Sequence, residues 1–312
     1  MLGALGPSSR MFAFMTADSV SRAASDRLSG NLLAAAAMAI WAAGFPAADG
    51  LLDTWEPLAV VVGRFVMALL LLVPLWLLLE GRPRGVAWGS GLWVGALGFG
   101  GGAVLIILAQ AATDPVTVAV ISACSPLTGT VVEWVSDRKP LTGGFLLGLA
   151  ASVLGGVVAT WGGGGGQGNL LLGVGLAVLS CLLYSWASHE TVRRLPGLSG
   201  LGQATITSTG AFGGVVLTWV LAFAAGYPAL PAASVTMEDL GLLAIYGGAA
   251  VGLSQILWIQ SVRRLGVAVA SFHINLAPFY VMVILLALGG DWSWMQALGA
   301  AIVAGGVLLA QR

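Results

Sequence analysis

The chain is a succession of long apolar stretches, separated by short breaks rich in polar residues, glycine and proline. Each stretch approaches the roughly 20 residues that an α-helix needs to cross the hydrocarbon core of a bilayer. The pattern therefore predicts an all-α, polytopic membrane protein with ten transmembrane helices embedded in a lipid bilayer. The predicted ranges are 30–49, 57–79, 86–110, 115–135, 141–161, 169–188, 200–226, 239–261, 266–288 and 293–311.

Composition supports this class and excludes two others. Of the 312 residues, 58% are hydrophobic and only 8% are charged, whereas a soluble domain carries about 25% charged residues. The 13 Lys and Arg residues balance 13 Asp and Glu residues, so no basic excess is available to meet nucleic-acid phosphates. With a mean hydropathy of +0.95, neither a soluble enzyme nor a nucleic-acid-binding protein fits this sequence.

Positive charges orient the predicted helices. Of the 13 Lys and Arg residues, all but Arg64 fall on one set of helix ends, and the opposite set carries acidic residues such as Asp53 and Asp114. Because Lys and Arg in short loops favour the cytoplasmic side, both termini are predicted to be cytoplasmic. The residues on that side are Arg10, Arg22, Arg27, Arg82, Arg84, Arg138, Lys139, Arg193, Arg194, Arg263, Arg264 and Arg312.

The two halves of the chain resemble each other. Residues 30–46 align with 173–189 at an offset of 143, which places Trp41 over Tyr184. Two glycines spaced seven residues apart, Gly148 and Gly155, recur as Gly299 and Gly306. Five helices per half mean that the second half enters the membrane from the opposite side. The sequence therefore predicts an inverted-topology repeat, the arrangement on which many alternating-access transporters are built.

This repeat defines the predicted organisation of the chain. Residues 1–29 form a cytoplasmic tail, 30–161 the first five-helix repeat and 169–312 the second. The glycine-rich segment 162–168 between them has the composition of a flexible linker.

No catalytic or metal-binding motif occurs in the sequence. Zinc-protease, nucleophile-elbow, P-loop and dinucleotide-binding patterns are all missing. Cys124 and Cys181 lie in apolar runs, without the spacing of a metal site or a disulfide framework. We expect no enzyme activity, no cofactor and no metal.

Polar residues deep in the predicted spans are the first candidates for substrate contact. His273 and Asn275 lie in the ninth span, Gln255 in the eighth and Ser122 in the fourth. Polar groups at that depth either line a pathway or form hydrogen bonds between helices, and the sequence leaves both readings open. Pro126 and Pro278 occupy equivalent positions in spans four and nine, and we expect them to act as hinges.

Aromatic residues at the same depth suggest a second feature. Nine of the twelve tryptophans, Trp258 among them, fall near predicted span ends and fit an interfacial belt. Trp41, in contrast, lies near the middle of span one, with Tyr184 and Tyr246 at similar depth. These rings would suit flat hydrophobic solutes or cations. Packing within the helix bundle is the alternative.

Arg64 is the exception to the charge pattern, about seven residues into span two. A buried arginine costs about 2.5–3.5 kcal/mol at a helix centre and should face the bundle or a wet cavity. It would either bind a carboxylate or tie helix ends to backbone carbonyls near the outer surface.

Several short motifs resemble the EamA-type repeat of the drug/metabolite transporter superfamily. They are Arg64-Phe65, the segment 112–116 leading to Ser125-Pro126, and Glu133 followed by 137–141. The resemblance covers 30–161 and again 169–311, and in detail it is similar to the bacterial aromatic amino acid and paraquat exporters.

This resemblance implies a monomeric transporter in the bacterial inner membrane, with a central cavity between spans one, three, four, six, eight and nine. Its substrate would be an aromatic or other hydrophobic amino acid, or a planar cation such as methyl viologen. Because the sequence has no midplane Asp or Glu to carry a proton, we expect facilitated export down a gradient. A substrate-selective channel, or an exporter of another small metabolite, is the alternative. The expected substrate contacts are Trp41, Ser122, Tyr184, Tyr246, Gln255, His273 and Asn275.

Overall fold

The computed structural model describes residues 26–81, 85–138, 140, 143–161, 169–228, 230–231 and 234–310. The predicted linker 162–168 and most of the predicted tail lie outside these ranges, although the first helix already begins at Asp26. Throughout the described residues the regular structure is helical, without a β-strand. The all-helical fold class is therefore confirmed.

Ten helical segments follow one another in the described chain, which we number α1 to α10. Seven are long and apolar enough to cross a membrane, namely α1 to α4 and α6 to α8. For α5, α9 and α10 the crossing stays a prediction. The bounds are α1 Asp26–Leu52, α2 Pro57–Glu80, α3 Trp88–Ala112, α4 Pro115–Asp137, α5 Gly143–Trp161, α6 Leu170–Arg194, α7 Gly200–Ala224, α8 Met237–Leu265, α9 267–287 and α10 Trp294–Ala310.

Five of these segments depart from regular α-helix in their interior, and α1 does so through a turn at Ala43. Helices α3 and α8 pass through π-helical turns, at Gly95–Gly100 and Ala244–Leu253. Helix α4 breaks at Ala123 and Cys124, and α9 contains the 3₁₀ stretch Ser271–Leu276. Such irregular turns inside long helices frequently mark functional sites.

Glycines bring neighbouring helices into backbone contact. A Cβ atom added to Gly95 of α3 would lie 2.1 Å from the carbonyl oxygen of Thr207 in α7, and one added to Gly210 would lie 2.2 Å from that of Leu92. Helices in lipid associate through such close approaches, because no hydrophobic force drives them together. Gly248, by contrast, has nothing within 4 Å of an added Cβ and takes no part in this packing.

The surface of the bundle is apolar where it would meet lipid. Large side chains such as Leu78, Leu171 and Leu288 are more than two-thirds exposed. Polar side chains such as Gln203 and Thr207 are instead fully buried between helices. This distribution is typical of a multi-pass membrane protein, in which polar groups avoid hydrocarbon.

Candidate functional site

A cavity of about 70 Å³ lies among the helices, close to the middle of several of them. Its described wall comes from α1, α3, α4, α6, α8 and α9, the six spans expected from the sequence, together with α2. A second cavity of about 10 Å³ adjoins the first, and Trp41, Arg64, Ile106 and Ala250 line both. The larger cavity exceeds the roughly 10–15 Å³ that a single water molecule needs.

Aromatic side chains form much of the wall. The rings of Trp41 and Phe45 meet edge to face with their centroids 4.8 Å apart. Phe99 and Tyr184 form a second tilted pair at 5.7 Å. Because rings within about 4.5–7 Å contribute specific contact energy, these pairs hold the wall in a defined shape.

Most serine hydroxyls of the wall are already bonded to helix backbone. Ser180 donates to the carbonyl of Gly102 at 2.8 Å, Ser254 to that of Ala250 at 2.6 Å and Ser271 to that of Val267 at 2.6 Å. These hydroxyl hydrogens are therefore already used in hydrogen bonds within the protein. Gln255 differs, because its buried Nε2 has no hydrogen-bond partner among the described residues. Its amide is available to a bound solute.

Arg64 brings a positive charge into this wall. Its side chain is only 4% exposed. It donates from one terminal nitrogen to the Tyr246 hydroxyl at 2.9 Å and from the other to the Tyr184 hydroxyl at 3.5 Å. The guanidinium carbon also lies 4.6 Å from the centroid of the Tyr246 ring, within the range of a cation–π contact.

The partners of Arg64 contradict one of the two sequence-based interpretations, in which it bonds to backbone carbonyls. They are tyrosine side chains of α6 and α8, and not the backbone carbonyls of helix ends. The residue thus joins the first half of the chain to the second, inside the cavity.

The expected substrate contacts divide into three groups. Trp41, Ser122, Tyr184 and Gln255 line the larger cavity. Tyr246 lines the smaller one and contacts Arg64.

His273 and Asn275 line neither cavity. The ring Nδ1 of His273 lies 3.1 Å from the carbonyl oxygen of Ala270 in the preceding turn. Asn275 is buried, and its Oδ1 has no partner among the described residues. Their role in substrate contact stays a prediction.

Both expected hinge prolines lie just after an irregular turn. Pro126 is in the first turn of the helix Ser125–Asp137, which resumes after the break in α4. Pro278 is in the first turn of Ala277–Ala287, which follows the 3₁₀ stretch of α9. Proline is tolerated in a first turn, because its missing N–H would be unpaired there anyway.

Many wall residues were absent from the expected contacts, Arg64 and Trp258 among them. Arg64 was identified as an exception, but its depth alone did not place it in the cavity. Trp258 was assigned to the interfacial belt; in the structure its ring lines the cavity and its Nε1 donates to the Ser188 hydroxyl at 2.9 Å. The several serines of α6 were the sequence signal for a hydrogen-bond acceptor facing Trp258.

The sequence of this chain is similar to those of known membrane transporters. Residues 28–161 match the EamA-like transporter family, a range that nearly coincides with the predicted first repeat.

Two further similarities extend beyond that range. The uncharacterized transporter YyaM of Bacillus subtilis (strain 168) is 25% identical to this chain over 218 residues, which cover 70% of this chain and 71% of that protein. One solved crystal structure, described simply as that of a protein, superimposes with a TM-score of 0.65 at 17% identity, covering 90% of this chain and 96% of that one. At that identity the structural similarity establishes a shared fold alone.

Proposed function

We propose that this protein is a ten-span transporter that carries small organic solutes across the bacterial inner membrane by alternating access. The observation that carries the proposal is the central cavity, which is walled by helices of both halves and contains polar groups at membrane depth. The similarity of residues 28–161 to EamA-like transporters supports the same function.

An inverted repeat is supported by the contact between α5 and α10. A Cβ on Gly155 would lie 2.7 Å from the carbonyl oxygen of Gly299, and one on Gly306 would lie 3.2 Å from that of Gly148. In the sequence repeat Gly148 corresponds to Gly299, and Gly155 corresponds to Gly306. Gly155 contacts Gly299, and their counterparts Gly306 and Gly148 contact each other in the same way. This reciprocity is what a two-fold relation between antiparallel helices requires.

Irregular turns recur at matching places in the two halves. The third segment of each half contains π-helical turns, at Gly95–Gly100 and Ala244–Leu253. The fourth segment of each half is interrupted just before a proline, Pro126 or Pro278. Matched flexible points in two inverted halves would let them exchange conformations, and that exchange would open the cavity to either side in turn.

Aromatic amino acids are the proposed substrates. Trp41, Tyr184 and Trp258 offer faces and edges to a flat side chain, and the free amide of Gln255 offers a hydrogen bond. Planar cations such as methyl viologen fit this wall less well, because Arg64 is the one charged side chain among the described wall residues. A desolvated positive charge repels another positive charge strongly at such short range.

Membrane topology can be tested with impermeant thiol reagents. Starting from a variant in which Cys124 and Cys181 are replaced by alanine, single cysteines are introduced at the exposed positions Thr54 and Gly197. We expect the reagent to label position 54 from outside intact cells and position 197 only after the cells are opened. Labelling of both from the same side would contradict the inverted repeat.

Counterflow in proteoliposomes tests the transport mechanism. Purified protein is reconstituted with unlabelled phenylalanine inside, and uptake of labelled phenylalanine is followed. A carrier that exposes one site alternately to each side gives saturable uptake that internal substrate accelerates. Uptake that neither saturates nor responds to internal substrate would identify a channel instead.

A further inference from the structure

The guanidinium group of Arg64 is buried without a counter-ion. Among the described residues no carboxylate lies within 4 Å of it; the buried carboxylate of Glu190, for example, pairs with Arg193 and Arg194 instead. The two tyrosine hydroxyls that accept from Arg64 are neutral. Its buried Nε has no acceptor in the described part of the chain either. The charge is therefore hydrogen-bonded but not neutralised.

An unneutralised charge in a low-dielectric site strongly favours an incoming anion. Burying a charge is costly unless it is paired. An arginine also presents several N–H donors in a planar fork that matches the two oxygens of a carboxylate. Since Arg64 lines the larger cavity, a solute bound there can reach this side chain.

The other residues of the wall restrict the chemical class of the bound anion. No Asp or Glu occurs among the described wall residues of either cavity, so an ammonium group would find no anionic partner there. The neighbouring surface is instead aromatic and aliphatic, as at Trp41, Phe99 and Ile106. The second unpartnered donor, Nε2 of Gln255, also favours an acceptor-rich group.

We propose that Arg64 is the carboxylate-binding residue of the cavity, and that the substrate class is an organic acid with an apolar or aromatic body, in which an amino group is not required. This inference rests on the proposed transport function and deepens it. Aromatic amino acids belong to the class through their carboxylate. Amines with the same body do not.

Three compounds with one common body separate the possibilities. Phenylalanine, 3-phenylpropionate and phenethylamine share a ring and a two-carbon chain, but at neutral pH they are a zwitterion, an anion and a cation. Binding to the purified protein in detergent is measured by thermal shift and calorimetry, independently of transport. We expect 3-phenylpropionate to bind at least as tightly as phenylalanine, and phenethylamine to bind about tenfold more weakly or worse, because an unpaired buried charge discriminates on this scale.

Variants of Arg64 then test the assigned residue. Arg64→Gln should weaken binding of 3-phenylpropionate by about tenfold or more, as expected when a buried charged pair loses one partner, and should abolish the preference for acid over amine. Arg64→Lys retains the charge but loses the planar fork, and should retain the preference with reduced affinity. Arg264→Gln, at the exposed cytoplasmic end of α8, is the matched control and should bind as the unmodified protein does.

The outcomes of these measurements are distinct. Equal binding of acid and amine to the unmodified protein, or no binding of the acid, overturns the inference even if Arg64→Gln fails to fold. An acid preference that survives in folded Arg64→Gln also overturns it. If the acid binds as expected but shows no counterflow in proteoliposomes, the inference about Arg64 stands and the proposed transport function fails.

Discussion

The indole Nε1 of Trp258 donates a 2.9 Å hydrogen bond to the hydroxyl of Ser188, connecting α8 to α6 at the wall of the cavity. An indole N–H at membrane depth needs an acceptor, and a serine on a facing helix supplies it. Trp258 belongs to the second half of the chain, as does Ser188. The bond therefore holds one half together, whereas the bonds of Arg64 connect the two halves.

A double-mutant cycle measures the strength of this connection. Trp258→Phe removes the donor and Ser188→Ala the acceptor, and we expect a coupling of about 1 kcal/mol in the free energy of unfolding, within the range for interhelical hydrogen bonds in membranes. Trp93→Phe serves as a control, because Trp93 is 58% exposed on the surface of α3. Additive effects of the two cavity substitutions would mean that the hydrogen bond contributes nothing to stability.

Packing of α7 against α3 depends on Gly210. A Cβ there would lie 2.2 Å from the carbonyl oxygen of Leu92, so Gly210→Ala must push the helices apart. We expect a loss of about 1–3 kcal/mol in stability, the usual cost of overpacking, measured by thermal or denaturant unfolding in detergent.

Gly213, one turn along the same helix, provides the matched comparison. It has nothing within 4 Å of an added Cβ, so Gly213→Ala should leave stability unchanged or raise it slightly. Equal destabilisation by the two alanines would show that the loss does not come from the contact between Gly210 and Leu92.

Trp41 should contribute to substrate affinity. Its half-buried ring lines both cavities and contacts Phe45 edge to face. Trp41→Ala should raise the KM for transport of phenylalanine by about tenfold, the upper range of a lost aromatic contact. Trp41→Phe, which retains a ring, should have a smaller effect. Unchanged transport with a lower melting temperature in Trp41→Ala would assign Trp41 to packing alone.

His273 should not couple transport to protons. Its ring lies outside the described cavity wall, and its Nδ1 lies 3.1 Å from the Ala270 carbonyl oxygen of the preceding turn. We expect a pH gradient across proteoliposomes to leave the steady-state distribution of substrate unchanged, in the unmodified protein and in His273→Ala. Accumulation driven by the gradient, and lost in His273→Ala, would contradict facilitated export.

The sequence predicted the helices well because their signals are local. Apolar length identifies a span wherever it occurs, and the predicted range 57–79, for example, corresponds to the observed helix Pro57–Glu80. The helices expected to line the cavity came from the resemblance to EamA-type repeats, and the depth of particular residues on them suggested the contacts. Trp41, Tyr184 and Gln255 do line the cavity.

Depth, however, does not tell which side of a helix a residue occupies. In a soluble helix the polar face points outward, but a membrane helix is apolar all round, and so periodicity carries little information about Arg64 or Trp258. Helix α9 adds a second difficulty. In its 3₁₀ stretch, residues three apart share a face, so Ser271 and Ile274 reach the cavity while His273 points elsewhere.

The π-helical turns of α3 have a consequence for deletions in this protein. Loss of one residue within Gly95–Gly100 would allow ordinary α-helical hydrogen bonding to resume, at little cost to the backbone. A π-helical turn is wider than an α-helical one, so each of its residues turns the chain by less than the roughly 100° of an α-helix, and five α-helical residues cover nearly the angle of six π-helical ones. The remainder of α3 would therefore keep its orientation, with Ile106 and Gln110 still beside Arg64 and Tyr246 in the smaller cavity. A shortened protein would lose only the backbone distortion that α3 shows before it reaches this cavity.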